Sequence, residues 1–249
     1  MDKNLIDVLS GNAGNYMLPF YWQHGDHTAS IPAEVERIYQ SGCRAFCVES
    51  RPHRDFAGDG WWRDMDIILR EAKKRDMGVW ILDDDHFPTG HAGGAVKTHP
   101  ELRPWMIGEE HLDVVGPLPS ATILLRRLPD AENRLIGVYA YPRTGTEEEI
   151  APEPIDLTGN VQGRYLRFDI PDGCYRIYFL YQTRHGAMSQ EYIDMMNPES
   201  VRLLIDAVYE PHYAHYKDEF GTTIRGFFSD EPRIGNTWFS AHACEYRYY

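Results

Sequence analysis

The chain has 249 residues, 43% of them hydrophobic, and a formal net charge of −13. That is enough apolar material for one large core or two smaller ones. So acidic a surface argues against nucleic acid or an anionic membrane as partner, since neither polyanion gains by approaching it. No apolar run nears the roughly 20 residues that span a bilayer, and the amino terminus lacks a secretory leader's succession of basic, apolar and small residues. A cytoplasmic chain is expected. Cys43, Cys47, Cys174 and Cys244 follow no zinc-ligand spacing and are expected to be reduced packing residues.

In chain order, the apolar run Met17 to Trp22 ends on Gln23, His24 and Gly25 and predicts a first strand with Phe20, Trp22 and His24 on one face. Ser30 and Pro32 open a helix whose stripe is Val35, Ile38 and Tyr39. Cys43 to Glu49 predicts a second strand, with Ala45, Cys47 and Glu49 on one face and Phe46 and Val48 turned to the helices. The loop after it carries Arg51 and His53. A helix beginning near Trp61 and Trp62 has the stripe Met65, Ile68, Leu69 and Ala72, cations in its last turn and Gly78 as end signal. Val79 to Leu82 predicts a third strand, ending on Asp83, Asp84, Asp85 and His86. Strand and helix alternate as in βα units of a parallel sheet, and no GxGxxG follows any strand, which argues against a dinucleotide fold.

From Trp105 the hydrophobic period falls to two, and prolines punctuate short runs. Tyr165 to Ile170, Pro171-Asp172-Gly173 and Cys174 to Gln182 predict a hairpin. The βα pattern resumes with Tyr192-Ile193-Asp194 as a fourth strand. Asn197 then caps a helix with Pro198 at its first position and Pro211 as a kink or break. Ile224 to Phe228 is the fifth strand, stopping on Asp230, Glu231 and Pro232.

The expected fold is α/β: a partial (β/α) TIM-type barrel over residues 1–104, an inserted antiparallel β-sandwich over 105–186, and the barrel continued over 187–249 but truncated after about strand five. In such a barrel the strands deliver their chemistry at their carboxyl ends. Glu231, Glu49 and Asp84 are the candidate catalytic residues. Trp22, His24, Arg51, His53, Trp62, Asp85, His86, Asp194 and Asp230 are the candidates for substrate binding. Paired carboxylates with displaced pKa values serve glycosidic bond cleavage, and sixteen Tyr and six Trp suit stacking on the C–H face of a sugar.

The segments Pro19-Phe20-Tyr21-Trp22, Glu49-Ser50-Arg51-Pro52-His53, Asp85-His86-Phe87-Pro88-Thr89-Gly90, Asn197-Pro198-Glu199 and Gly226-Phe227-Phe228-Ser229-Asp230-Glu231-Pro232 resemble the catalytic barrel of α-L-rhamnosidase-like glycoside hydrolases. The resemblance implies a TIM barrel with an inserted β-sandwich, a carbohydrate substrate and a calcium ion near the site, with Glu231 as general acid or calcium ligand. Because such enzymes are much longer, the chain alone is expected to be inactive. Two readings compete. A metal-dependent barrel hydrolase lacks a His-x-His pair, since His24 and His27 are three apart and His111 and His185 lie in or near the insert. A non-catalytic carbohydrate-binding protein is the other.

Overall fold

The computed structural model describes residues 3–10, 17–128, 130–147, 149–184, 191–234 and 246–248. The chain divides into two units, one of Met1–Leu102 with Glu191–Arg233, the other of Arg103–Gln190 with Ile234–Tyr249. The tail thus groups with the second unit, not with the barrel to which the sequence reading assigned it.

After α1 (Lys3–Leu9), the first unit alternates β1 (Phe20–Gln23), α2 (Ile31–Gln40), β2 (Ala45–Ser50), α3 (Asp59–Lys73) and β3 (Gly78–Leu82). Every strand here pairs in parallel with its predecessor. The expected stripes are the buried ones: Val35 of α2 and Met65, Ile68, Leu69 and Ala72 of α3 pack on Phe46, Val48, Val79 and Ile81 of the sheet. The end signal after α3 is Asp76, at φ +52°, while Gly78 is already the first residue of β3.

The strands of the second unit pair antiparallel throughout the described residues. Its strands are β4 (Met106–Leu124), β5 (Asn133–Pro142), β6 (Ile155–Asp156), β7 (Val161–Gln162), β8 (Tyr165–Thr183) and, late in the chain, β10 (Tyr246–Tyr248). They run in the order β10-β4-β8-β5-β6, with β7 on β8. The predicted hairpin is absent. Pro171-Asp172-Gly173 lies inside one 19-residue strand, β8, which pairs along the equally long β4. The ladder shifts register between Gly116 and Leu118 and again before Ala121, and such bulges bend a strand without ending it. Gly116 faces Gly173 at this bend, where a Cβ on Gly116 would lie 1.8 Å from the Pro171 carbonyl oxygen. The long strands curl around Val138, Leu166, Phe168, Ile177, Phe179 and Tyr181. The structure has one bent six-stranded sheet here; a two-sheet sandwich is not seen among the described residues.

Back in the first unit, Asn197 caps α4 (Pro198–Leu204) by accepting the Glu199 N–H at 3.0 Å. A π-helical turn (Ile205–Tyr209) carries it without a break into α5 (Glu210–Tyr216). Pro211 has no N–H to return to the preceding turn, and the chain answers with the wider turn just before it. β9 (Ile224–Phe228) then pairs in parallel with β3. The sheet order is β1-β2-β3-β9, so the described parallel strands number four, against the five expected, and they do not close a barrel. Tyr192-Ile193-Asp194 is not a strand. It makes isolated main-chain bonds, Ile193 N–H to Gly90, Asp194 N–H to Leu102 and the turn bond from Asn197 N–H to Asp194, and no ladder.

The sheet is nevertheless strongly curved. Flat, its outer strands would lie roughly 14 Å apart, three spacings of about 4.8 Å. Yet the rings of Phe20 on β1 and Phe228 on β9 meet with centroids 5.5 Å apart across the concave face. Leu18, Phe20, Cys47, Trp80 and Phe228 line a cavity of about 170 Å³ there. Burial pushes the Cys47 thiol up to about 12, so it is a packing residue as expected, and so is buried Cys43. Cys174 is exposed, which corrects its assignment to packing, and Cys244 lies outside the described residues.

Candidate functional site

Parallel pairing sets Trp22 on β1 beside Glu49 on β2, at the carboxyl ends of their strands. Glu49 is only 2% exposed, and Arg51 reaches back to its Oε1 at 2.6 Å. Burial drives the Glu49 carboxyl upward; Arg51 and a hydrogen bond from Trp22 pull against it, and the charge of Asp230 adds to the rise. The Arg51 guanidinium lies 4.8 Å from the Trp22 ring and 5.3 Å from that of Phe87, a cation between two aromatic faces. Asp230, just past β9, is likewise raised, first by burial and then by neighbouring Glu231, with Arg51 opposing. Glu49, Arg51 and Asp230 therefore form one electrostatic group, flanked by Trp22, which is half exposed at 53%.

The loop after β3 is built around Asp84, which is wholly buried. Its Oδ2 accepts the N–H groups of Gly90, His91 and Ala92 at 2.7, 2.6 and 3.0 Å. Oδ1 accepts those of Gly93 and Asp85 at 2.7 and 2.8 Å. Five donors occupy its lone pairs, so Asp84 holds the loop instead of facing the cleft assigned to it from the sequence. Next to it, Asp83 accepts from Thr89 and, at 2.5 Å, from the Tyr209 hydroxyl. The Asp230 N–H donates to Thr89 Oγ1 at 2.9 Å and the Thr89 N–H to the Asp230 carbonyl at 3.0 Å, which laces this loop to the one after β9.

Asp85 and His86 are on the same loop. Burial, then the charge of Asp84, lifts the Asp85 carboxyl to about 6, with His86 opposing; its buried Oδ1 has no hydrogen-bond partner and lies 3.9 Å from His86 Nε2. His86 and His91 lie with ring centroids 3.8 Å apart. Each sets an Nδ1 at 2.8 Å from a carbonyl oxygen, Phe87 and Glu191 respectively; that nitrogen therefore carries the proton. Burial and His86 push His91 down to about 4.

Other expected site residues are placed elsewhere. His53 is buried against α3, edge-on to Trp61 at 5.3 Å, its Nδ1 accepting from the Asp55 N–H at 3.1 Å and its Nε2 meeting Asp64 at 3.2 Å. Trp62 is stacked on His215 at 4.3 Å between α3 and α5. Asp194 accepts the Met196 N–H in the turn before α4. His24 is exposed after β1, and Glu231 is exposed at φ +42°. Phe87 and Tyr209 were missed; Phe87 was adjacent to the acidic run in the sequence, whereas Tyr209 reaches Asp83 only through the π-turn.

The donor set does not fit the implied calcium. Among the described residues no three His, Cys, Asp or Glu side chains are grouped to hold an ion, and calcium takes six to eight oxygens. No helix among the described residues is long and apolar enough to cross a membrane, which says nothing of β-barrels.

No family model matches the chain, and no curated protein matches it. Among solved structures, a rhamnosidase from Novosphingobium sp. PP1Y is similar over 92% of this chain and 39% of that one, at 10% identity and a TM-score of 0.48. The chain spans about two fifths of that protein's length.

Proposed function

We propose that the first unit carries the sugar-cleaving centre of a glycoside hydrolase of the TIM-barrel kind, with β1, β2, β3 and β9 as barrel strands and the second unit as an antiparallel insertion. The observation that carries this reading is the group of Glu49, Arg51 and Asp230 beside the open face of Trp22, at the carboxyl ends of parallel strands. A buried carboxyl raised above its usual range can deliver a proton to the leaving glycosidic oxygen. A second carboxylate then serves as base or nucleophile at the anomeric carbon. In this reading Glu49 is the acid, a role the sequence reading had given to Glu231, and Asp230 is the second carboxylate. Trp22 takes the C–H face of the ring.

One observation favours a second reading, non-catalytic sugar binding: the 2.6 Å contact from Arg51 holds Glu49 toward its charged form. A panel of 4-nitrophenyl glycosides, the α-L-rhamnoside included, separates the two. Under the hydrolase reading Glu49→Gln lowers turnover by roughly 10²- to 10⁴-fold with sugar binding kept, and Asp230→Asn does likewise. Binding without turnover, both in this chain and in a longer one that completes the barrel, selects the second reading, and neither binding nor turnover refutes both.

A further inference from the structure

The second unit has its own groove, of about 760 Å³, where the two arms of β4 approach one another over β8. Its floor is apolar, with Ile123, Leu125 and Phe179, and its rim is polar. At the floor lies Tyr181, which is 0% exposed, yet its hydroxyl has no hydrogen-bond partner. Buried tyrosine hydroxyls find partners, and this one is on a residue that lines an open groove. Beside it, Arg127 Nε donates to Glu110 Oε1 at 2.8 Å, and on the rim His111 Nδ1 meets Glu109 Oε1 at 2.8 Å.

We propose that this groove is a binding site for a neutral polyhydroxylated ligand, a mono- or disaccharide, held by the Tyr181 hydroxyl and the Glu110–Arg127 pair. A sugar hydroxyl both donates and accepts. A paired carboxylate and guanidinium offers it one acceptor and one donor at once, and a vicinal hydroxyl reaches Tyr181. Burial and the nearby Glu110 push the tyrosine up to about 12, so it stays a donor at neutral pH. The charge of the groove selects against anions: Glu109 and Glu110 balance Arg126 and Arg127, leaving no net positive field for a phosphate or a carboxylate ligand. The volume is that of a small-molecule site. This site lies wholly within the second unit and is independent of the cleavage centre proposed above.

The test uses the full chain and diazirine-bearing methyl glycosides of glucose, galactose, mannose and rhamnose, with cross-links mapped by peptide mass, and inorganic phosphate as competitor. Cross-links are expected within residues 109–127 and 174–184, unaffected by phosphate. Tyr181→Phe should weaken them at least about tenfold, and Glu49→Gln should leave them unchanged. Because Tyr181→Phe removes only an unpartnered hydroxyl, its unfolding midpoint should not fall. Absence of cross-links in these segments, full retention in Tyr181→Phe, or displacement by phosphate overturns the proposal. None of these outcomes bears on turnover at Glu49, and loss of turnover there leaves this site standing.

Discussion

Replacing Asp84 with Asn tests whether one carboxylate holds the loop after β3. In the native chain both oxygens accept, three N–H groups on Oδ2 and two on Oδ1. An asparagine retains one oxygen and turns an NH₂ toward at least two of those donors. Two charge-assisted bonds are lost at about 1.5–3 kcal/mol each, and donors are left opposed, so the cost is about 3–6 kcal/mol. For a chain of this size that lowers the melting temperature by roughly 10 °C or more. Urea unfolding gives the global value. Amide exchange at Asp85 and Gly90 to Gly93 gives the local one, expected to quicken by about a hundredfold or more. A variant within about 1 kcal/mol of the native protein, with unchanged exchange at these amides, would refute the reasoning.

His212 accepts from Trp61 Nε1 at 2.8 Å and sets its Nδ1 at 2.6 Å from the Val208 carbonyl; burial pushes it down to about 4. The unfolded chain then binds the extra proton first. This stabilisation is complete above about pH 6.5 and is lost as pH falls toward 4, by about 3 kcal/mol in all. His91 acts in the same direction; Asp85, raised to about 6, acts against them. Urea midpoints between pH 7 and 4.5 should decline in the native chain and flatten in His212→Phe; an equal slope in both removes His212 from the account. Gly116→Ala places a methyl against the Pro171 carbonyl and should destabilise the second unit by more than about 2 kcal/mol, seen as a lower unfolding midpoint. An unchanged midpoint would mean that the β4–β8 bend relaxes freely.

The strands and helices of the first unit were readable because each has a strong period. The α3 stripe and the Phe46 and Val48 face land where the spacing puts them, and Asn197 caps the helix it precedes. What failed was what periodicity cannot express. Pro-Asp-Gly marks a turn by local propensity, but a second glycine opposite, Gly116, lets β8 run through it. Tyr192-Ile193-Asp194 has a strand's composition, but no neighbouring edge takes it into a ladder. In the site, Glu49 beside Trp22 follows from strand phase. The separation of Asp84 from Asp230 does not: both are acids after strands, and only the three-dimensional count of N–H donors tells the loop-holding carboxylate from the other.

That count also bears on how the loop can change over generations. Its course from Asp85 to Gly93 is set by main-chain N–H groups converging on Asp84, with Thr89 tied to Asp83 and Asp230, so shape and chemistry are inherited separately. The side chains of Asp85, His86 and Phe87 supply none of the five main-chain bonds to Asp84. Exchanging them leaves the main-chain bonds to Asp84 in place, so under the proposed function this short span is where ligand preference is rewritten one residue at a time. The anchor has no such latitude: a change at Asp84 alters every position it holds at once.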